Sequence, residues 1–182
     1  MKIKSWITTI LALSLTLATG TALAQSCTSS TADSAPDSRY QMNANGTVVD
    51  LHTGLMWMRC AMGQTWDVQQ GTCTGEATAY TWQNALQAVQ TLDQGSGFAG
   101  FADWRLPNVR ELTSLARFHC TDPAINLKAF PQTPSGSFWT STPLASTYGT
   151  EWTVNFKSGQ AIYNFYSKTY SIRLVRAGAF AP

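Results

Sequence analysis

The chain has 182 residues, 44% of them hydrophobic and only 12% charged, with 12 basic against 10 acidic side chains for a formal net charge of +2. This composition excludes a disordered polymer, and the near-balance of charge provides no field for long-range steering toward DNA or an anionic membrane. Aromatic residues, counted within that hydrophobic share, make up 12% of the chain, enough to build an aromatic core and leave rings on the surface.

At the amino end, Lys2 and Lys4 precede an apolar run from Ile7 to Leu17 and then Ala22-Leu23-Ala24. This is the pattern of a secretory signal peptide over residues 1–24, cleaved before Gln25, and the run is too short for a membrane span. An acylated Cys27 is the competing reading, but Gln25-Ser26 is a poor approach to it. Removal of the signal leaves 182 − 24 = 158 residues, a size suited to one domain. Lys2 and Lys4 leave with it, so the exported chain is formally neutral, and a secreted, cell-surface or periplasmic location is expected.

Residues 25–39, rich in Ser, Thr, Ala, Asp and Pro, read as a flexible or loosely docked lead-in to a domain over 40–178. Tyr40 to Met42 and Thr47 to Asp50 read as short strands around the turn Asn43-Ala44-Asn45-Gly46. Leu55-Met56-Trp57-Met58 reads as a buried strand ending near Cys60, and Ala61 to Tyr80 as a long loop. Thr81 can cap a helix whose Trp82, Ala85, Leu86, Val89 and Leu92 form one apolar stripe, stopped by Gly95-Ser96-Gly97. In Asp103-Trp104-Arg105-Leu106 the apolar residues alternate, as in a short extended segment with one buried face. Pro107 ends it, and Asn108 with Glu111 forms a capping box for a second helix carrying Val109, Leu112, Leu115 and Ala116.

An irregular segment around Thr121-Asp122-Pro123 and Pro131 to Pro134 follows. Phe138 to Ser141 reads as a strand. Glu151 to Phe156 and Ala161 to Phe165 read as a hairpin about Lys157-Ser158-Gly159, and Ser171 to Arg176 as the closing strand with Ile172 and Leu174 inward. Strands, two helices, then strands is the order of an α+β domain with helices against an antiparallel sheet. Trp57, Trp82, Trp104, Trp139 and Trp152 are expected in the core, the last because it alternates in step with Val154 and Phe156.

The four cysteines of an exported chain read as two disulfides. Cys60 and Cys73 flank a glycine-containing loop and form the natural local pair, which leaves Cys27 with Cys120. A metal site using His52 or His119 with cysteines is disfavoured, because no Cys-x-x-Cys or paired-His spacing occurs, and no cofactor is expected. No nucleophile-and-base pattern, paired carboxylates or phosphate-binding glycine loop occurs either, so a non-catalytic binding protein is expected. Its contact surface is placed in the last third, where aromatic rings alternate with amides and cations. The residues are Asn155, Lys157, Tyr163, Asn164, Tyr166, Lys168, Tyr170 and Arg173. Arg173 and Arg176 lie on opposite faces of one strand. Only one of them can line a given surface, and the other is expected as a buried charge held by a carboxylate such as Asp103.

Gly54-Leu55-Met56-Trp57, the Cys60 to Cys73 loop, Phe101 to Pro107 with Glu111-Leu112, Ser137 to Ser141 and Ile172 to Arg176 together resemble the Lcl C-terminal-domain family. The family takes its name from a bacterial collagen-like adhesin. The resemblance implies a C-type lectin-like fold in which the first and last strands pair, two helices flank the sheet and a long loop-rich face is free to bind. It also implies surface adhesion, binding of a glycan or sulfated polysaccharide and assembly into homo-oligomers. A protein partner in a surface or periplasmic assembly is the alternative. The collagen-like stalk is missing here, and so are the Glu-Pro-Asn, Gln-Pro-Asp and Trp-Asn-Asp signatures of calcium-dependent lectins, so no calcium site is carried over.

Overall fold

The computed structural model describes residues 24–178, so the expected signal peptide lies almost wholly outside the described residues. The sheet that organises the domain has four antiparallel strands, in the order β11-β4-β3-β2. They are β2 (Tyr40–Met42), β3 (Thr47–Asp50), β4 (Leu55–Met58) and β11 (Val175–Ala177). The turn from β2 to β3 requires glycine twice over. Gly46 has φ +82°, and a Cβ there would meet the Trp66 ring at 2.6 Å. Asn45 holds the same turn by accepting from the backbone amide and hydroxyl of Thr47, at 3.2 and 2.7 Å.

Strand β4 is buried on both faces, and this creates two apolar layers. On one side Trp57, Val48 and Val175 meet Leu112, Leu115, Phe130, Phe138, Val154 and Phe156. On the other, Met56, Met58 and Val49 meet Trp104, Leu106, Trp139, Ile172, Leu174 and the helix residues Ala85 and Val89. Full burial of each large side chain is worth about 1.5–3 kcal/mol, so the two layers supply most of the drive to fold.

Helix α1 (Trp82–Gln94) starts at Thr81, whose side chain accepts from the amide of Asn84. Its stripe is narrower than expected: Ala85 and Val89 are buried, but Leu86 is 40% exposed. Helix α2 (Val109–Thr113) opens with the expected capping box, Asn108 accepting from Glu111 at 2.9 Å and Glu111 accepting from Asn108 at 2.7 Å. It lasts little more than one turn, although Leu115 and Ala116 beyond it are buried.

A second sheet holds β8 (Ser137–Pro143), β9 (Thr150–Asn155) and β10 (Gln160–Phe165) in the order β10-β9-β8, all antiparallel. Two ribbons complete the fold. Strands β5 (Thr65–Asp67) and β6 (Thr72–Thr74) form a hairpin inside the Ala61 to Tyr80 segment, where only a loop was expected, and Cys60–Cys73 staples it. Strand β1 (Ser26–Cys27) pairs with β7 (Cys120–Thr121), joined by Cys27–Cys120. Both expected disulfides are present.

Four further expectations change. The lead-in is docked: Gln25 donates to the carbonyls of Pro123 and Ile125, Arg117 pairs with Asp33 and Ala35 is fully buried. Its polar side chains have partners on the domain, which composition alone cannot show. Residues 103–106 form no ladder beyond one bridge from Arg105 to Val175. Regular pairing of the closing segment is confined to β11, and this last strand pairs with β4, not with the first strand. The last change is Arg173, expected on the binding face and found fully buried.

Arg173 has no carboxylate partner among the described residues. Its Nη1 donates to the carbonyls of Met58 and Arg59, its Nη2 to the Thr133 hydroxyl at 2.7 Å, and its guanidinium lies 4.9 Å from the Phe130 ring centroid. Burial lowers its pKa to about 9, so it is still cationic at neutral pH. It is Arg176 that Asp103 holds, at 2.7 and 3.1 Å. Both arginines of the closing segment are therefore committed within the fold.

Arg173→Ala should cost at least about 3 kcal/mol in denaturant unfolding, since it orphans two buried carbonyls and opens a cavity. A second expectation concerns acid. Burial would raise the Asp50 carboxyl, but hydrogen bonds from Arg39 at 2.5 and 2.8 Å and from Thr53 at 2.8 Å outweigh it and leave the pKa lowered. The stabilisation is thus complete above the ordinary carboxylate range and is lost as pH falls through the depressed folded value. Stability measured against pH should show an acid limb that is shallower in Asp50→Asn.

Candidate functional site

Side chains alternate along β9, and the two faces of the hairpin have different surroundings. Val154 and Phe156 enter the first apolar layer, with Trp152 on the same face nearer the strand start. Trp152 is only half-buried, not core as expected, because no full layer covers that end of the sheet. Its neighbours are Val109, Arg110, Thr113 and Ser114 of the α2 segment, Phe118 and Ala161. Together they line an open, largely apolar groove of about 510 Å³.

Tyr163 stands opposite Trp152 across β9–β10, its ring edge-on at a centroid distance of 6.3 Å. Tyr163 is 60% exposed, Phe165 59% and Phe118 58%, so three large rings face solvent, of which Phe118 lines the groove. Arg110 is the only charged residue of the lining and forms no ion pair among the described residues. The arrangement suits a ligand that offers a flat carbon face beside an anionic group.

The residues chosen from sequence do not form one surface. Tyr163 lies beside the groove, edge-on to Trp152, without lining it. Asn164 points to the opposite face, where it donates to Thr153 at 2.9 Å and accepts from the Tyr170 hydroxyl at 2.8 Å. Tyr170 packs its ring 5.0 Å from that of Trp139, which is fully buried. Tyr166 leans over Gly149, a Cβ on which would lie 3.0 Å from the tyrosine ring. Asn155 holds the hairpin turn by accepting from the amide of Lys157 at 2.8 Å. Lys157 and Lys168 are exposed but lie outside the groove lining.

Sequence reasoning missed Val109, Arg110, Thr113 and Phe118. The only local signal was the spacing of Val109 and Thr113 on one helical face, and nothing local says that α2 lies beside β9. A metal reading also meets an obstacle: Cys27, His119 and Cys120 cluster within 4.8 Å, but both sulfurs are spent in the disulfide.

Residues 46–176, more than two thirds of the chain, match the family described as the Lcl C-terminal domain. The chain belongs to that family. No curated protein matches the sequence. The Lcl C-terminal match runs from the β2–β3 turn to β11 and includes the groove and both helices. The docked segment before β2 lies outside it. No helix of the described residues is long and apolar enough to cross a membrane.

Asn155→Ala should lower stability by about 1 kcal/mol, the usual worth of a turn hydrogen bond, and leave any ligand affinity unchanged. A loss of ligand affinity at constant stability would instead give Asn155 a contact role.

Proposed function

We propose that this Lcl C-terminal domain is an exported, non-catalytic, adhesin-like module that binds a glycan at the bacterial surface. Sulfated polysaccharide is the favoured class, and calcium is not required. The observation that carries this reading is the groove lined by Trp152 and Phe118, with Tyr163 edge-on to Trp152 beside it and one cation, Arg110, that forms no ion pair among the described residues. A sugar ring can lay its C–H face on an aromatic side chain, and a guanidinium holds a sulfate through paired charge-assisted hydrogen bonds. The sequence has none of the calcium-lectin signatures, so hydroxyl groups must be read by side chains alone. Two helices, two disulfides and extensive loops support the C-type lectin-like relation, which belongs to the same proposal.

A second reading rests on the exposed rings. Phe118, Tyr163 and Phe165 give an apolar surface of the kind that also docks protein partners, as in a subunit of a surface or periplasmic assembly.

A glycan array that includes sulfated polysaccharides, read in the presence of a calcium chelator, separates the two. Under the first reading the chain binds sulfated glycans, and Trp152→Ala and Arg110→Ala each weaken binding by about tenfold, the equivalent of 1.4 kcal/mol. Binding through Arg110 should also weaken as salt rises. A blank array, together with a co-purifying protein released by Phe165→Ala, would favour the second.

A further inference from the structure

On the opposite face of β9 lies a recess of about 480 Å³ between the start of α1 and the loop that leads into the strand. Glu151 contributes to its lining and is 9% exposed, with Oε2 buried and no hydrogen-bond partner. It has no ion pair among the described residues, and no lysine, arginine or histidine lines the recess. An uncompensated buried carboxylate is costly, so such a group is retained where a ligand supplies what the fold does not. Burial holds the Glu151 carboxyl above the usual carboxylate range, as expected for a charge without its counter-ion.

The other lining residues say what surrounds that counter-ion. Trp82 and Tyr166 bring aromatic surface, while Gln83, Ser146 and Thr147 bring amide and hydroxyl groups. Trp82 is fixed by donating from its indole nitrogen to the Thr140 carbonyl at 2.9 Å, and the backbone of Tyr166 by donating from its N–H to the Gly149 carbonyl at 3.0 Å.

We propose that this recess is a second binding site, which takes a sugar carrying a protonated primary amine, with Glu151 as its counter-ion. One carboxylate is too few for a divalent cation, which needs several oxygen ligands, but it matches one ammonium group. The rings that share the recess lining with Glu151 add attraction for the cation and a platform for the sugar's C–H face. Neighbouring hydroxyl and amide groups favour a polyol over a plain alkyl amine, and the volume suits one or two sugar units. Because Glu151 and Trp152 project to opposite faces of β9, this site is independent of the aromatic groove.

The test is calorimetric titration of the exported chain with a β-1,4-linked glucosamine tetramer and with the same tetramer fully N-acetylated. The free-amine tetramer should bind about tenfold more tightly or better. Glu151→Gln should abolish the difference with thermal stability equal or higher, since it removes a buried charge without breaking a bond, and Trp152→Ala should leave the preference intact. Equal affinity for the two tetramers, a preference that survives in Glu151→Gln, or tighter binding of cadaverine than of the glucosamine tetramer would overturn the proposal. Should Glu151→Gln fail to fold, the comparison of tetramers on the unaltered chain still decides.

Discussion

Arg173 is the point at which the separate pieces of this domain are tied. Its fully buried guanidinium reaches carbonyls at the end of β4, a hydroxyl in the segment after Phe130 and the face of Phe130 itself. A buried cation without a carboxylate relies on carbonyl and hydroxyl oxygens, and the planar guanidinium reaches three of them through its two Nη atoms, while its Nε has no partner among the described residues. The closing segment therefore has one register against β4. Neighbouring Ile172 and Leu174 are then fixed in the second apolar layer, from which α1 and Trp139 take their positions. Arg59 repeats the device, donating to the carbonyls of Lys128 and Ala129 at 2.7 and 2.9 Å while lying over Trp66.

Disulfides act on a different part of the problem. Cys60–Cys73 closes a separation of 13 residues and Cys27–Cys120 one of 93, so each restricts the unfolded chain while fixing a ribbon with little core of its own. The apolar layers, the two buried arginines and the two cross-links together leave the β9–β10 hairpin with its outer end uncovered. The proposed binding is placed there because no described residue covers that surface. The alternation of one strand then gives two environments. One face has Trp152 in an apolar groove beside Arg110, and the other has Glu151 in a recess without a cation.

Much of this was legible locally. The capping box of Asn108 and Glu111, the Thr81 cap, the Asn45-Gly46 turn and the Lys157 to Gly159 turn are decided by side chains within a few residues of one another. The Cys60–Cys73 pairing followed from spacing, and Cys27 with Cys120 was the pair that remained. Burial of Trp57, Trp104 and Trp139 followed from period and composition. Trp152 was misjudged by the same rule that placed Val154 correctly, because alternation gives the face of a strand and not how far a covering layer extends.

The sequence by itself determined both helix starts, the main turns, most of the strands, the two cross-links and the membership of the Lcl C-terminal family, since each depends on short-range chemistry or on motifs in order. Tertiary structure alone decided that Arg173 is internal, that the amino-terminal segment is docked, and that α2 stands beside β9 to make a groove with Phe118 and Arg110. It also decided that Glu151 faces a recess without a cation. These depend on which distant segments meet, and side-chain periodicity carries no record of the partner on the far side of a contact.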